Sequence, residues 1–152
     1  MKKILVIGYG NPLRCDDGVG WHLAQELLQT CNSPDVEIIA RVQLTPELAE
    51  PISRASLVLF VDASRELTTG RTRQERIFPR GEKVALNHQM SPEGLLQLAD
   101  DVYYARPEGH IFSIGAELFD YGTSPSPTLA KALPSILATV REFIRSYRQI
   151  PA

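Results

Sequence analysis

Ile4-Leu5-Val6-Ile7-Gly8-Tyr9-Gly10-Asn11-Pro12, followed by Val19, Leu23 and Leu27 at four-residue spacing, decides the fold. The first four residues are a β-branched and leucine run without polar alternation, as expected of a strand buried on both faces, and Gly8 to Pro12 reads as the turn that ends it. The spacing of Val19, Leu23 and Leu27 predicts a helix running to about Thr30, with Asp16 or Asp17 placed to cap it. The opening is a strand, loop, helix unit.

Outward from this unit the same alternation continues. Residues 36–42 fit a second strand, and Thr45-Pro46-Glu47 reads as an N-cap, a proline at the first helical position and an acidic first turn. Pro51 keeps that helix short. Leu57-Val58-Leu59-Phe60-Val61 is the most hydrophobic run in the chain and ends abruptly in Asp62, which suits a central strand. Residues 68–73 are turn-like, and Arg71, Arg73, Arg76 and Arg80 lack the aromatic interleaving of a single-strand nucleic-acid surface, so they are expected on a solvated hairpin or edge strand. A short apolar piece at 84–86 leads into Asn87-His88-Gln89-Met90, and Ser91-Pro92-Glu93 starts a helix through Leu95, Leu96 and Leu98. Residues 111–115 read as a strand and 122–127 as a Gly, Ser and Pro loop. Leu129, Leu133, Ile136, Leu137, Val140 and Ile144 mark a long final helix over about 128–147. Alternating strands and helices point to an α/β sandwich with a largely parallel sheet.

The 152 residues suit a single domain over 1–152. With 16 basic and 18 acidic side chains and a net charge of -2, the chain has no field for attracting nucleic acid or an anionic membrane. The apolar run after Met1-Lys2-Lys3 is too short for a membrane span or a signal-peptide core, so a cytoplasmic protein is expected. Cys15 and Cys31 have neither the density of a disulfide scaffold nor the close pairing of a zinc or redox motif, and both are expected as reduced thiols. Cys15 lies beside the first loop, where packing is a simpler role than nucleophilic attack.

In a parallel sheet, ligand sites gather beyond the carboxyl ends of the strands, where only loops leave the backbone free. Asp17 follows the first strand's loop, Asp62 follows the most buried strand, and His88 falls in a strand-to-helix loop. Two carboxylates and an imidazole suit a borderline divalent cation with coordination positions to spare. Each also has an ordinary reading: Asp16 or Asp17 as a helix cap, Asp62 as a turn residue, His88 as a structural histidine. A carboxylate directly after five apolar residues is nevertheless costly unless paired or liganded. His22, within the first helix, and His110, ahead of a strand, lack comparable settings. The Gly8-Tyr9-Gly10 turn also invites a dinucleotide reading, but Leu13 stands where a third glycine is needed and Asp16 and Asp17 put negative charge where phosphates would lie.

Gly8-Tyr9-Gly10-Asn11-Pro12-Leu13 with Asp16-Asp17-Gly18-Val19-Gly20 resembles the signature of the nickel-iron hydrogenase maturation protease family. Gln43-Leu44-Thr45-Pro46-Glu47-Leu48, Val61-Asp62-Ala63, His88-Gln89-Met90-Ser91-Pro92 and Tyr121-Gly122 followed by residues 124–127 resemble further family blocks in the family's order. The resemblance spans essentially the whole chain. It implies a three-layer α/β/α sandwich of the phosphorylase/hydrolase-like kind with a mixed, mostly parallel twisted sheet. It also implies an endopeptidase that removes the C-terminal extension of a hydrogenase large-subunit precursor after nickel insertion, by an aspartic-type or metal-assisted route. By motif, the family's catalytic and nickel-reading positions fall on Asp17, Asp62 and His88. Some relatives carry glutamate at the first, one methylene longer than Asp17. The nickel is expected to arrive with the precursor, the isolated protein is expected to be metal-free, and a monomer is adequate. A non-catalytic nickel-binding chaperone using the same three residues is the alternative.

Overall fold

The computed structural model describes residues 3–81 and 90–149. In chain order these form β1 (Ile4–Tyr9), α1 (Val19–Thr30), β2 (Val36–Arg41), α2 (Ala49–Ser53), β3 (Leu57–Ser64), β4 (Thr72–Ile77), α3 (Pro92–Tyr103), β5 (Glu108–Gly115) and α4 (Pro127–Arg148). Among the described residues one five-stranded sheet has the order β2-β1-β3-β5-β4, parallel except for β4, which pairs antiparallel with β5. The architecture is the mostly parallel α/β sandwich expected from the sequence.

The apolar runs lack polar alternation because both sheet faces are covered. Ile4 and Val6 of β1, with Leu57, Leu59 and Val61 of β3, pack on the α1 and α4 side. Leu5, Ile7, Val58 and Phe60 pack on the α2 and α3 side. All nine are 1% exposed or less. Val19, Leu23 and Leu27 form the buried stripe of α1, and Leu129, Ile136, Val140 and Ile144 that of α4. Pro134, inside α4, lies on its exposed side, where the lost N–H leaves the buried stripe intact. Ser91 caps α3 by accepting a hydrogen bond from the Gly94 N–H at 3.0 Å, with Pro92 at the first helical position.

Strand ends depart from the sequence reading. β1 runs on through Gly8 and Tyr9, because pairing with β2 and β3 carries the ladder past the first glycine. β3 continues beyond Asp62 to Ser64, held by Ser113, Ile114 and Gly115 of β5, so Asp62 is a strand residue and not a turn. His110, expected ahead of a strand, lies within β5. The apolar piece at 84–86 lies outside the described residues. β4 is exposed along nearly its whole length and carries an Arg73–Glu75 ion pair at 2.6 Å, the solvated strand expected from its charges.

Strand order also locates the site. From β1 the chain steps outward to β2, then returns across β1 to β3, so the direction of travel reverses between β1 and β3. The crevice beyond the carboxyl ends of such a pair is where open α/β sheets bind their ligands.

Candidate active site at the carboxyl edge of the sheet

Tyr9 ends β1, and the parallel register that pairs Gly8 with Val61 places it beside Asp62. Its hydroxyl donates to Asp62 Oδ2 at 3.0 Å. The phenol is pushed up by burial first and then by the Asp62 charge, its hydrogen bond to Asp62 and the Glu93 charge, so it stays protonated and a fixed donor. Burial pushes the Asp62 carboxyl up to about 6; the hydrogen bonds from the Tyr9 hydroxyl and the Ala63 N–H oppose this, and the nearby Asp17 charge adds to it. Asp62 is therefore half-desolvated, oriented through one oxygen, and still mainly ionised at neutral pH.

Asp17 lies on a 3-10 turn, Cys15–Gly18, that leads into α1. Its Oδ2 accepts the Asn11 N–H at 2.9 Å, and Asn11 Oδ1 accepts the Leu13 N–H at 2.9 Å. Gly10 makes this fold possible: it has a φ of +142°, and a Cβ there would sit 1.9 Å from the Asp17 carbonyl oxygen. Two more glycines seat α1 on the strand ends. A Cβ on Gly8 would lie 2.1 Å from the Gly20 carbonyl oxygen, and one on Gly20 would lie 2.3 Å from that of Val61. The glycine-rich signature thus serves close helix-to-sheet approach and the placing of Asp17.

Neither Asp16 nor Asp17 caps α1; the N-cap position is Gly18, and no side chain bonds there. Asp16 is instead 0% exposed and fastens the distant loop 117–126. Its Oδ2 accepts from the Glu117 N–H at 3.0 Å, the Leu118 N–H at 3.1 Å and the Ser126 hydroxyl at 2.7 Å, and its Oδ1 accepts from the Ser126 N–H at 2.6 Å. Burial raises this carboxyl, but the bonds from Ser126, Glu117 and Leu118 together outweigh burial and hold it below the usual range.

The structure thus brings Asp17 and Asp62 to one strand edge, close enough for one charge to act on the other, while His88 lies outside the described residues. Met90 is buried with Leu5, Ile7, Val58 and Phe60, its N–H donates to the Leu44 carbonyl at 2.9 Å, and the Glu93 charge reaches Tyr9. Among the described residues no three His, Cys, Asp or Glu side chains form a group fit for a metal ion. Cys15 is a buried free thiol packed toward Gly122. His22 is lowered by burial, and His110 is held by Gln74 at 2.5 Å and Glu108 at 2.6 Å and pairs with Leu59, not with Asp62. A groove of about 620 Å³ between α1 and α4 is lined by residues such as Leu23, Leu129 and Leu133 and by neither Asp17 nor Asp62. Sequence reasoning passed over Tyr9. Its only signal was its two-residue spacing from Ile7, which puts it on the Asp62 face once β1 and β3 are known to be neighbours.

Fold and site together define an α/β sandwich with two carboxylates at its topological switch point. Solved structures share that fold, among them three named as hydrogenase maturation proteases or endopeptidases. The chain is similar to the NiFe hydrogenase maturation protease HycI from Thermococcus kodakarensis, with a TM-score of 0.76, 20% identity, and coverage of 95% of this chain and 93% of that one. It is similar to the hydrogenase maturating endopeptidase HybD from E. coli, with a TM-score of 0.73, 22% identity, and coverage of 95% and 93%. It is also similar to the NiFe hydrogenase maturation protease HybD from Thermococcus kodakarensis, with a TM-score of 0.66, 17% identity, and coverage of 93% and 98%. No protein-family model and no curated protein matches the chain. The chain has the fold of the hydrogenase maturation proteases, as its sequence blocks implied.

Proposed function

We propose that this protein is an endopeptidase that removes the C-terminal extension from a nickel-iron hydrogenase large-subunit precursor after nickel insertion, using the precursor's nickel as its recognition element. The reading is supported above all by Asp62: a carboxylate set into the switch-point crevice, oriented by Tyr9 and facing the Asp17 charge, on the fold of the maturation proteases. Asp17 and Asp62 are hard oxygen donors, and His88 adds the imidazole that makes the set suit a borderline divalent ion. Holding substrate-borne nickel between these groups would align the adjacent peptide bond and couple cleavage to metal loading. An ionised Asp62 can serve either as a ligand or as the base that takes a proton from the attacking water. The protein would act in the cytoplasm as a monomer. No helix among the described residues is long and apolar enough to cross a membrane.

The test is to incubate the purified protein with nickel-loaded and with nickel-free precursor and to follow the C-terminal extension by mass spectrometry. Loss of the extension only from the loaded precursor is expected. A loaded precursor that is bound but left intact would replace the protease reading with the nickel-binding chaperone.

A further inference from the structure

Leu13 and Tyr121 are 61% and 90% exposed, yet both are carried on backbone that is tightly fastened. Each directly precedes one member of the Arg14–Gly122 parallel bridge, and the Gly122 N–H donates to the Leu13 carbonyl at 2.8 Å. The Cys15 N–H donates to the Gly122 carbonyl at 2.9 Å, and the Asp16 N–H to that of Leu118 at 2.8 Å. Arg14 Nε donates to the Phe119 carbonyl at 3.1 Å, and the Arg65 guanidinium lies 3.6 Å from the centre of the Phe119 ring. With the four bonds accepted by the Asp16 carboxylate, these contacts fix positions 117, 118, 119, 122 and 126, and Tyr121 projects from between them.

We propose that Leu13 and Tyr121 form a preorganised platform on which the precursor protein docks; this rests on the protease reading above. Continuity with the carboxylates supports it, since Leu13 bonds to Asn11 and Asn11 bonds to Asp17. A rigid loop loses little freedom on binding, and a tyrosine is a large amphipathic anchor of the kind that concentrates interface energy. Leu13 and Tyr121 give the platform an apolar and aromatic centre, bordered by the exposed Asp120 and by the Arg14 and Arg65 guanidiniums that contact Phe119. Its counterpart is therefore an apolar patch of the folded precursor beside its extension, distinct from the nickel that the carboxylates read.

The experiment measures KM and kcat for cleavage of nickel-loaded precursor by wild type, Leu13→Ala, Tyr121→Ala, the double variant and Tyr121→Phe. The double variant should raise KM by about tenfold and keep kcat within about twofold, with each single variant between. Tyr121→Phe should keep the wild-type KM, because the ring supplies the contact. Both side chains are exposed, so the melting temperature should not move. An unchanged KM in the double variant, or a fall in kcat with KM unchanged, would overturn the platform. Should wild type leave the loaded precursor intact, the protease reading fails; the same variants are then compared by their Kd for the intact precursor, where equal values overturn the platform too.

Discussion

Asp16 accepts four hydrogen bonds and is closed to solvent, whereas its neighbour Asp17 accepts one from Asn11 and stays half-buried beside Asp62. Asp16→Asn would turn an amide N–H₂ toward N–H donors already in place, leaving buried groups unpaired at about 1–3 kcal/mol each. The expected loss at pH 7 is on the order of 2–4 kcal/mol, read as a melting temperature lower by roughly 5–10 °C. Because the folded carboxyl titrates below its ordinary 3.8, its contribution is present above that value and lost as pH falls through the lowered one. The gap between wild type and variant should therefore close in acid. Asp62 has the opposite sign. Its carboxyl is raised from 3.8 to about 6, so the folded state holds the proton more tightly, and stability falls as pH rises through that window. At about 1.36 kcal/mol per pH unit the cost at pH 7 is at most roughly 3 kcal/mol. Asp62→Asn should stabilise the fold at pH 7 relative to pH 4 in chemical denaturation, and equal effects at both would refute the assignment. Asp62→Ala and His88→Ala should abolish processing while leaving the protein folded, with circular dichroism and mass spectrometry as the paired readouts.

At the scale of elements, α1 matters most because Gly8, Gly20 and the Val61 carbonyl oxygen set its distance from the sheet. Gly20→Ala puts a methyl group where backbone oxygens already sit, and strain of about 1–3 kcal/mol is expected, measurable as a lower melting temperature. Lifting α1 also moves the turn that carries Asp17, so processing should fall further than stability does. Elements of this kind differ in how openly the sequence declares them. Ser91-Pro92-Glu93 marks the start of α3 because a cap and a proline act locally, and the Val19, Leu23 and Leu27 stripe marks α1 for the same reason. The ends of β1 and β3 were hidden, because Gly8-Tyr9 and Ala63-Ser64 are strand only through partners in other segments. Asp17 and Asp62 were legible as candidates from their places after strands. The Tyr9 bond and the four-fold grip of Asp16 were not, since their partners lie 53 and 101–110 positions away.

For the whole molecule, the order β2-β1-β3-β5-β4 has a consequence in time. Asp16 leaves the ribosome about a hundred residues before the groups that hold it, Glu117, Leu118 and Ser126. Contacts of such long sequence separation form late, because loop closure must precede any return from them. β1, β2 and β3 can pair while the chain is still growing, but the first loop can lock only once β5 and the segment after it are made. A loop made well before its partners is thus among the last parts to become rigid. In pulsed hydrogen exchange during refolding, the amides of Asn11 and Cys15 should gain protection after those of Val6 and Leu59. The carboxylate edge would then be organised only once Ser126 has been made, so that a copy stalled before that point carries no organised site with which to engage another protein.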